Sequence, residues 1–185
     1  MSRLPAAQRR EQLLDQAALL FARKGYARTT TAELAKASGI TEPIIYRHFQ
    51  SKKDLFVALI DRSSARTIAQ WEKHLNRAED PARRIIKLVG DNPMVSPSTR
   101  EDYRVLMQAI TEIHESEIKE AVARHIKNLH SYITREIARA QEEHKVGTRF
   151  SAEMIGWLLI HLGMGYGALS AMEIDHHGVD ANGVH

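Results

Sequence analysis

The sequence predicts an all-α fold, with an N-terminal helix-turn-helix head of three helices followed by a larger C-terminal helical-bundle body. Three observations carry this. Apolar residues recur at helical spacing along almost the whole chain, and no alternating strand of useful length interrupts them. The ends of these periodic segments carry helix capping and stop residues. Ten glycines and five prolines in 185 residues are too few for a disordered or fibrous chain.

Taken in order, the first helix spans about Pro5 to Lys24, with Leu13, Leu14, Ala17, Leu20 and Phe21 on one face and Gly25 as its stop. Tyr26 follows the glycine and can fold back onto that face. Thr30 or Thr31 caps a second helix that points Leu34 and Ala35 inward. Ser38-Gly39-Ile40 makes a turn in which Gly39 suits a positive φ and Ile40 plugs the angle between helices. Thr41 is an N-cap, Pro43 sits in the first turn where its missing N–H costs nothing, and Ile45 and Phe49 pack inward. Ser51 and Asp54 resemble a capping box at the head of a long helix with Phe56, Leu59, Ile60, Ile68, Trp71 and Leu75 on its apolar face.

The body continues with a short helix from Asp80-Pro81 to near Gly90 and a loop over 90–98. A helix from Thr99 carries Tyr103, Leu106, Met107, Ile110 and Ile113. Helical periodicity then runs from Ile118 to about Glu143. Ser151 caps the last long helix, which extends to about Glu173, with Phe150 and Ile155 placed for a hydrophobic staple. Residues 176–185 have no apolar pattern and read as a frayed tail. The expected division is a helix-turn-helix head over 1–52, a helical body over 53–175, and that tail.

Composition bounds the function. Apolar residues make up 43% of the chain and charged residues 26%, as in soluble globular proteins. No apolar run approaches the ~20 residues that cross a bilayer, and the polar start MSRLPAAQRREQLL lacks a secretory core, so a cytoplasmic protein is expected. The lack of cysteine excludes disulfides, thiolate zinc sites and thiol nucleophiles. Residues 1–62 hold eleven Lys/Arg against six Asp/Glu, and the remainder fifteen against seventeen. The first third is therefore the part expected to meet a polyanion.

The helix pair at residues 29–55 has the parts of a DNA reader. A short recognition helix needs exposed groups at its start for base edges, and donors around it for phosphates. Thr41, Glu42, Pro43 and Ile44 lie at that start. Tyr46, Arg47 and His48 lie at its end, and Thr30, Thr31 and Lys52 at the starts of the flanking helices, where backbone N–H groups and the helix dipole favour phosphate.

In these residues the chain resembles the TetR-type transcriptional regulators, the tetracycline-repressor-like family. The resemblance rests on Thr30, Thr31, Leu34, Ala35, Ser38, Gly39, Ile40, Thr41, Pro43, Ile45, Tyr46, His48, Phe49, Ser51, Lys52 and Leu55 in register. It extends back to Phe21-Ala22 and Gly25-Tyr26. It implies an all-helical homodimer with a DNA-binding head and a C-terminal body for ligand binding and dimerisation. By position it gives Thr31, Tyr46, His48 and Lys52 phosphate contacts, and turns Glu42, Pro43 and Ile44 toward bases. Many members have Gly-Thr where this chain has Pro43-Ile44, and some have an arginine at the place of Ala32. Pro and Ile side chains donate no hydrogen bond, so readout there is expected to be apolar, against thymine methyls.

In the body, Gly163 and Gly167, with Gly156 nearby, form a small-residue pattern that suits a helix–helix dimer seam. A ligand pocket among the body helices would draw on Trp71, Tyr103, Met107, Ile110, His114, His130, Trp157, His161 and Met164. No metal, cofactor or catalytic residue is expected. The single Glu-x-x-His, Glu173 to His176, lies at the fraying end, and no nucleophile elbow or zinc-binding helix motif is present. The resulting expectation is a regulator, most simply a repressor released from a palindromic operator by a small molecule. The alternatives are a DNA-binding protein without a ligand and, from a different class, a helical-bundle enzyme.

Overall fold

The computed structural model describes residues 5–75, 80–90 and 100–172. Among these residues the chain forms eight helices: α1 Ala6–Lys24, α2 Thr31–Ala37, α3 Glu42–Tyr46, α4 Lys52–Leu75, α5 Pro81–Gly90, α6 Arg100–Thr111, α7 Ser116–Glu142 and α8 Ala152–Ala171. The predicted loop over 90–98 lies almost wholly outside the described residues. So do Glu173, His176 and the predicted tail.

The caps of the head follow the local chemistry. Gly25, at φ 88°, ends α1 and donates its N–H to the Phe21 carbonyl. Thr30 and Glu33 make a reciprocal capping box at the start of α2. Gly39 turns the chain at φ 65°, a backbone conformation that a Cβ disfavours. Thr41 is the N-cap of α3 by position, although its side chain makes no capping hydrogen bond. At α4 the Ser51 hydroxyl accepts from the Asp54 N–H (3.0 Å), and the Asp54 carboxylate reaches back to the Gln50 N–H (2.9 Å).

Two apolar clusters fill the molecule. The first joins Leu13, Phe21, Leu34, Ile45 and Phe49 of the head to Phe56, Leu59 and Ile60 of α4. It then continues into Tyr103, Leu106 and Ala109 of α6 and Ile118 and Ala121 of α7. Phe56 stands edge-on to Phe21 (5.3 Å between centroids) and stacks on Tyr26 (4.3 Å). One core therefore runs through residue 52 without a break in packing. The second cluster gathers Trp71, Leu75, Leu88, Leu129, Tyr132, Ile133, Ile137 and Ile160.

Helices α4 and α7 run parallel. Lys53 pairs with Glu117 at 2.7 Å, Asp61 with Arg124 at 2.9 Å, Ser64 meets Asn128 at 3.4 Å, and Trp71 stacks on Tyr132. The buried Arg84 guanidinium pins α5 to α7 through both oxygens of Glu136 (2.8 and 3.0 Å) and also donates to the Leu75 carbonyl (2.7 Å).

In α8, Gly156, Gly163 and Gly167 are buried within the single chain. A Cβ at Gly156 would stand 2.7 Å from Thr134 Oγ1 and 3.2 Å from the His130 ring, so the small residue serves the close approach of α8 to α7. Phe150 is half-exposed, and the Ser151 hydroxyl caps α8 by accepting from the Met154 N–H (3.1 Å).

Candidate nucleic-acid interface and the interior of the body

The head presents one polar patch. Buried Leu34, Ala35, Ile45 and Phe49 fix α2 and α3 from within. That leaves Thr30, Thr41, Pro43, Tyr46 and Arg47 exposed, with Thr31, Glu42, Ile44 and His48 half-buried. A short polar chain ties the two helices. The Tyr46 hydroxyl donates to Thr31 Oγ1 (3.4 Å), and the Thr31 hydroxyl donates to Glu42 Oε2 (2.6 Å). The Glu42 carboxylate is thus drawn toward the start of α2. In that position it fixes the spacing of the two helices.

Lys52 makes contacts within the head. Its ammonium donates to the carbonyls of Tyr26 (2.9 Å), Ala27 (3.4 Å) and Thr29 (3.0 Å), and it sits 4.5 Å from the centre of the Tyr26 ring. All three donors are directed into the protein, where they neutralise the carbonyls of the turn between α1 and α2. No local pattern signals this, because the partners lie more than twenty residues away.

The head is also held by groups that sequence reasoning missed. The Gln108 side chain on α6 accepts from the Tyr26 N–H (3.1 Å) and donates to the Phe21 carbonyl (2.8 Å), bridging the end of α1 at Gly25. Lys53 bonds both Glu115 (3.2 Å) and Glu117 (2.7 Å) and holds the Glu117 carboxyl down to about 2. Arg62 and Arg66 of α4 reach Glu11 and Asp15 of α1.

The proposed ligand pool does not converge on one place. Trp71 and Tyr103 are buried, and Met164 packs against both apolar clusters. Met107 is half-buried, while Ile110 and His114 lie on the surface of α6 and the segment that follows it. His130, Trp157 and His161 form a half-open stack on the outer side of α7 and α8, with 4.2 Å between the His130 and Trp157 rings. What the sequence reading missed is a polar layer between the two clusters: Ser63, Ser64 and Thr67 of α4 and His125 of α7, all buried. The available signal was the run of hydroxyls that interrupts the apolar face of α4.

His125 has no solvent exposure; the Ile60 carbonyl lies beside its ring, but no hydrogen bond of good geometry reaches either ring nitrogen among the described residues. Tyr103 meets it edge-on at 6.3 Å. Burial pushes its pKa down to about 4, opposed weakly by the nearby Ile60 carbonyl and by Asp61, which is itself paired with Arg124. The ring is therefore neutral near pH 7.

A short, rigidly held helix with an exposed polar start, seated on a helical body, defines the class of helix-turn-helix proteins. Residues 13–59 match the family described as bacterial regulatory proteins, tetR family. Over 84 residues it is 32% identical to the HTH-type transcriptional activator FasR of Mycolicibacterium smegmatis, covering 45% of this chain and 38% of FasR. Over 80 residues it is 39% identical to the nucleoid occlusion factor SlmA of Marinobacter nauticus, covering 43% of this chain and 41% of SlmA. The matches thus span less than half the length of these curated relatives. The whole fold is similar to that of a protein of Saccharomonospora viridis solved in complex with choline, with TM-score 0.81, 22% identity, and coverage of 95% of this chain and 91% of the other.

Two outcomes test these contacts. Lys52→Met keeps the aliphatic stem and loses the three charge-assisted bonds. It should lower stability to urea by about 1–2 kcal/mol. For His125, the folded pKa lies below the ordinary value of 6.5, so the unfolded chain takes up a proton first as pH falls. Its stability contribution is intact above pH 6.5 and is lost between there and about pH 4. Wild type should lose about 2 kcal/mol more than His125→Phe between pH 7 and pH 5, read by urea denaturation at each pH.

Proposed function

We propose that this chain is a homodimeric, sequence-specific DNA-binding transcriptional regulator, a repressor that leaves a palindromic operator when a small molecule occupies its body. The observation that carries the reading is the patch around α3, in a head that matches the tetR family. Thr41, Glu42, Pro43 and Ile44 would face bases. Thr30, Thr31, Tyr46, Arg47 and His48 would contact the backbone. Lys52 would help indirectly, by shaping the turn that leads into Thr30 and Thr31. The expected placement is cytoplasmic; among the described residues no helix is long and apolar enough to cross a membrane.

The seam between two copies is best supported on the outer face of α8. Met154, Leu158, Leu162 and Leu169 recur there at helical spacing with 48, 47, 70 and 39% exposure, and Gly165 between them has open space above it. An unpartnered apolar face of this kind fits a two-fold pairing of identical helices.

A second reading, DNA binding without a ligand, is favoured by the likeness of the head to a nucleoid occlusion factor. The enzyme alternative has no such support from the relatives, which are regulators or DNA-associated factors.

The deciding experiment is selection of duplexes from a random double-stranded library, followed by titration of the selected duplex. A palindromic consensus is the expected result; no enrichment sinks the reading. Arg47→Ala should weaken binding to all duplexes alike and reduce the slope of log affinity against log salt by about 1. Leu162→Glu should yield a folded monomer in sedimentation that has lost its preference for two half-sites.

A further inference from the structure

The chain of hydroxyls between α2 and α3 has a fixed direction. A carboxylate only accepts hydrogen bonds, so at 2.6 Å the Thr31 hydroxyl gives its proton to Glu42 Oε2. Thr31 Oγ1 in turn receives the Tyr46 hydroxyl at 3.4 Å. The bond that spaces the two helices therefore also holds the Glu42 side chain in one orientation. Among the described residues, Glu42 Oε1 has no hydrogen bond and no cation pairs with the carboxylate. Lys24 and Lys52 of the same head are engaged elsewhere, by Glu33 and by the carbonyls before Thr30.

A free carboxylate opposes binding in a surface that meets DNA. Its place in the first turn of α3 is favourable for an acid, but the phosphates of every duplex repel it. A base edge offsets that repulsion only by donating a hydrogen bond. In the major groove the donors are the amino groups at N4 of cytosine and N6 of adenine; guanine presents N7 and O6, and thymine O4, all acceptors. Adenine sets its N7 acceptor next to the amino group, where a carboxylate has no proton to give. Cytosine presents the amino group alone. Pro43 and Ile44, the next two residues, have no side-chain donor or acceptor to alter this choice.

We infer that Glu42 is the specificity-determining residue for a C·G pair in the bound duplex, accepting from the cytosine amino group, and that Thr31 is the positioning residue that aims it. This rests on the reading of the head as a sequence-specific DNA reader and deepens it by naming a base. The Thr31 hydroxyl proton is committed to Glu42, so only the main chain of Thr31 remains for a phosphate. The same carboxylate discriminates against wrong sequences: facing guanine or thymine it meets an acceptor, and both groups lose water without gaining a bond.

The test is selection of duplexes from a random library by the full chain, run in parallel for wild type, Glu42→Gln, Thr31→Val and Thr31→Ser. Glu42→Gln keeps the side-chain length and an acceptor for the Thr31 hydroxyl, so a residue that only spaced the helices would leave the selected duplexes unchanged. A glutamine amide both donates and accepts, which suits adenine N7 and N6. At one place in the recognised sequence a C·G pair should give way to an A·T pair, with adenine on the cytosine's strand. The preference for cytosine there should fall by about tenfold or more while the other places hold. Thr31→Val keeps the side-chain shape but frees the carboxylate, so preference at that same place should relax without a new base replacing cytosine. Thr31→Ser returns the hydroxyl and should return the cytosine. An identical consensus for wild type and Glu42→Gln overturns the assignment, and so does a responding place that is an A·T pair in wild type. Undiminished preference in a Thr31→Val protein with the wild-type far-ultraviolet spectrum overturns the positioning role. If wild type enriches no duplex at all, the DNA-binding reading beneath the inference has failed. If it enriches one that Glu42→Gln selects equally, that reading stands and only the role of Glu42 falls.

Discussion

Phe56 is the side chain on which both halves of this molecule depend. It lies in the first turn or two of α4, edge-on to Phe21 and stacked on Tyr26, and it belongs to the same cluster as Leu106, Ala109 and Ile118. A three-helix head of about fifty residues buries too little apolar surface to be held firmly by itself. Here the head borrows the base of α4 and the end of α6 as part of its core. The position of the recognition helix is consequently a property of the body as well as of the head.

That dependence gives the polar contacts at the joint their meaning. Gln108 satisfies two backbone groups at the end of α1, Lys53 ties the start of α4 to the start of α7, and Arg62 ties α4 back to α1. The Lys53 pairs face solvent and contribute little stability each, whereas the Arg62 guanidinium is largely buried. Their geometric effect is larger: they set the angle at which the aromatic cluster closes. A displacement of α6 moves Gln108 directly, and with it the residues that precede Thr30.

The interior of the body is built differently from that joint. Parallel α4 and α7 carry apolar residues toward both ends and hydroxyls and an imidazole between them. Among the described residues, Met164 packs against both clusters.

The sequence alone determined the local features. Thr30 with Glu33, Ser51 with Asp54, Gly25 and Gly39 act through neighbours within a few residues, so the head, its register and the helical class of the body were legible from order and spacing. The expected DNA-facing set also fell largely on one open patch, because helical periodicity decides which side of α3 faces the core. Tertiary structure decided the rest. Lys52 is spent on carbonyls more than twenty residues earlier in the chain, Gln108 finds partners more than eighty residues away, and Gly156 faces Thr134 across α7. A glycine spacing shows that a helix can be approached closely but not by which neighbour, and a lysine shows a charge but not where it is directed. His125 stands among apolar residues at ordinary helical spacing, and only the packing of α4, α6 and α7 around it reveals a fully buried ring.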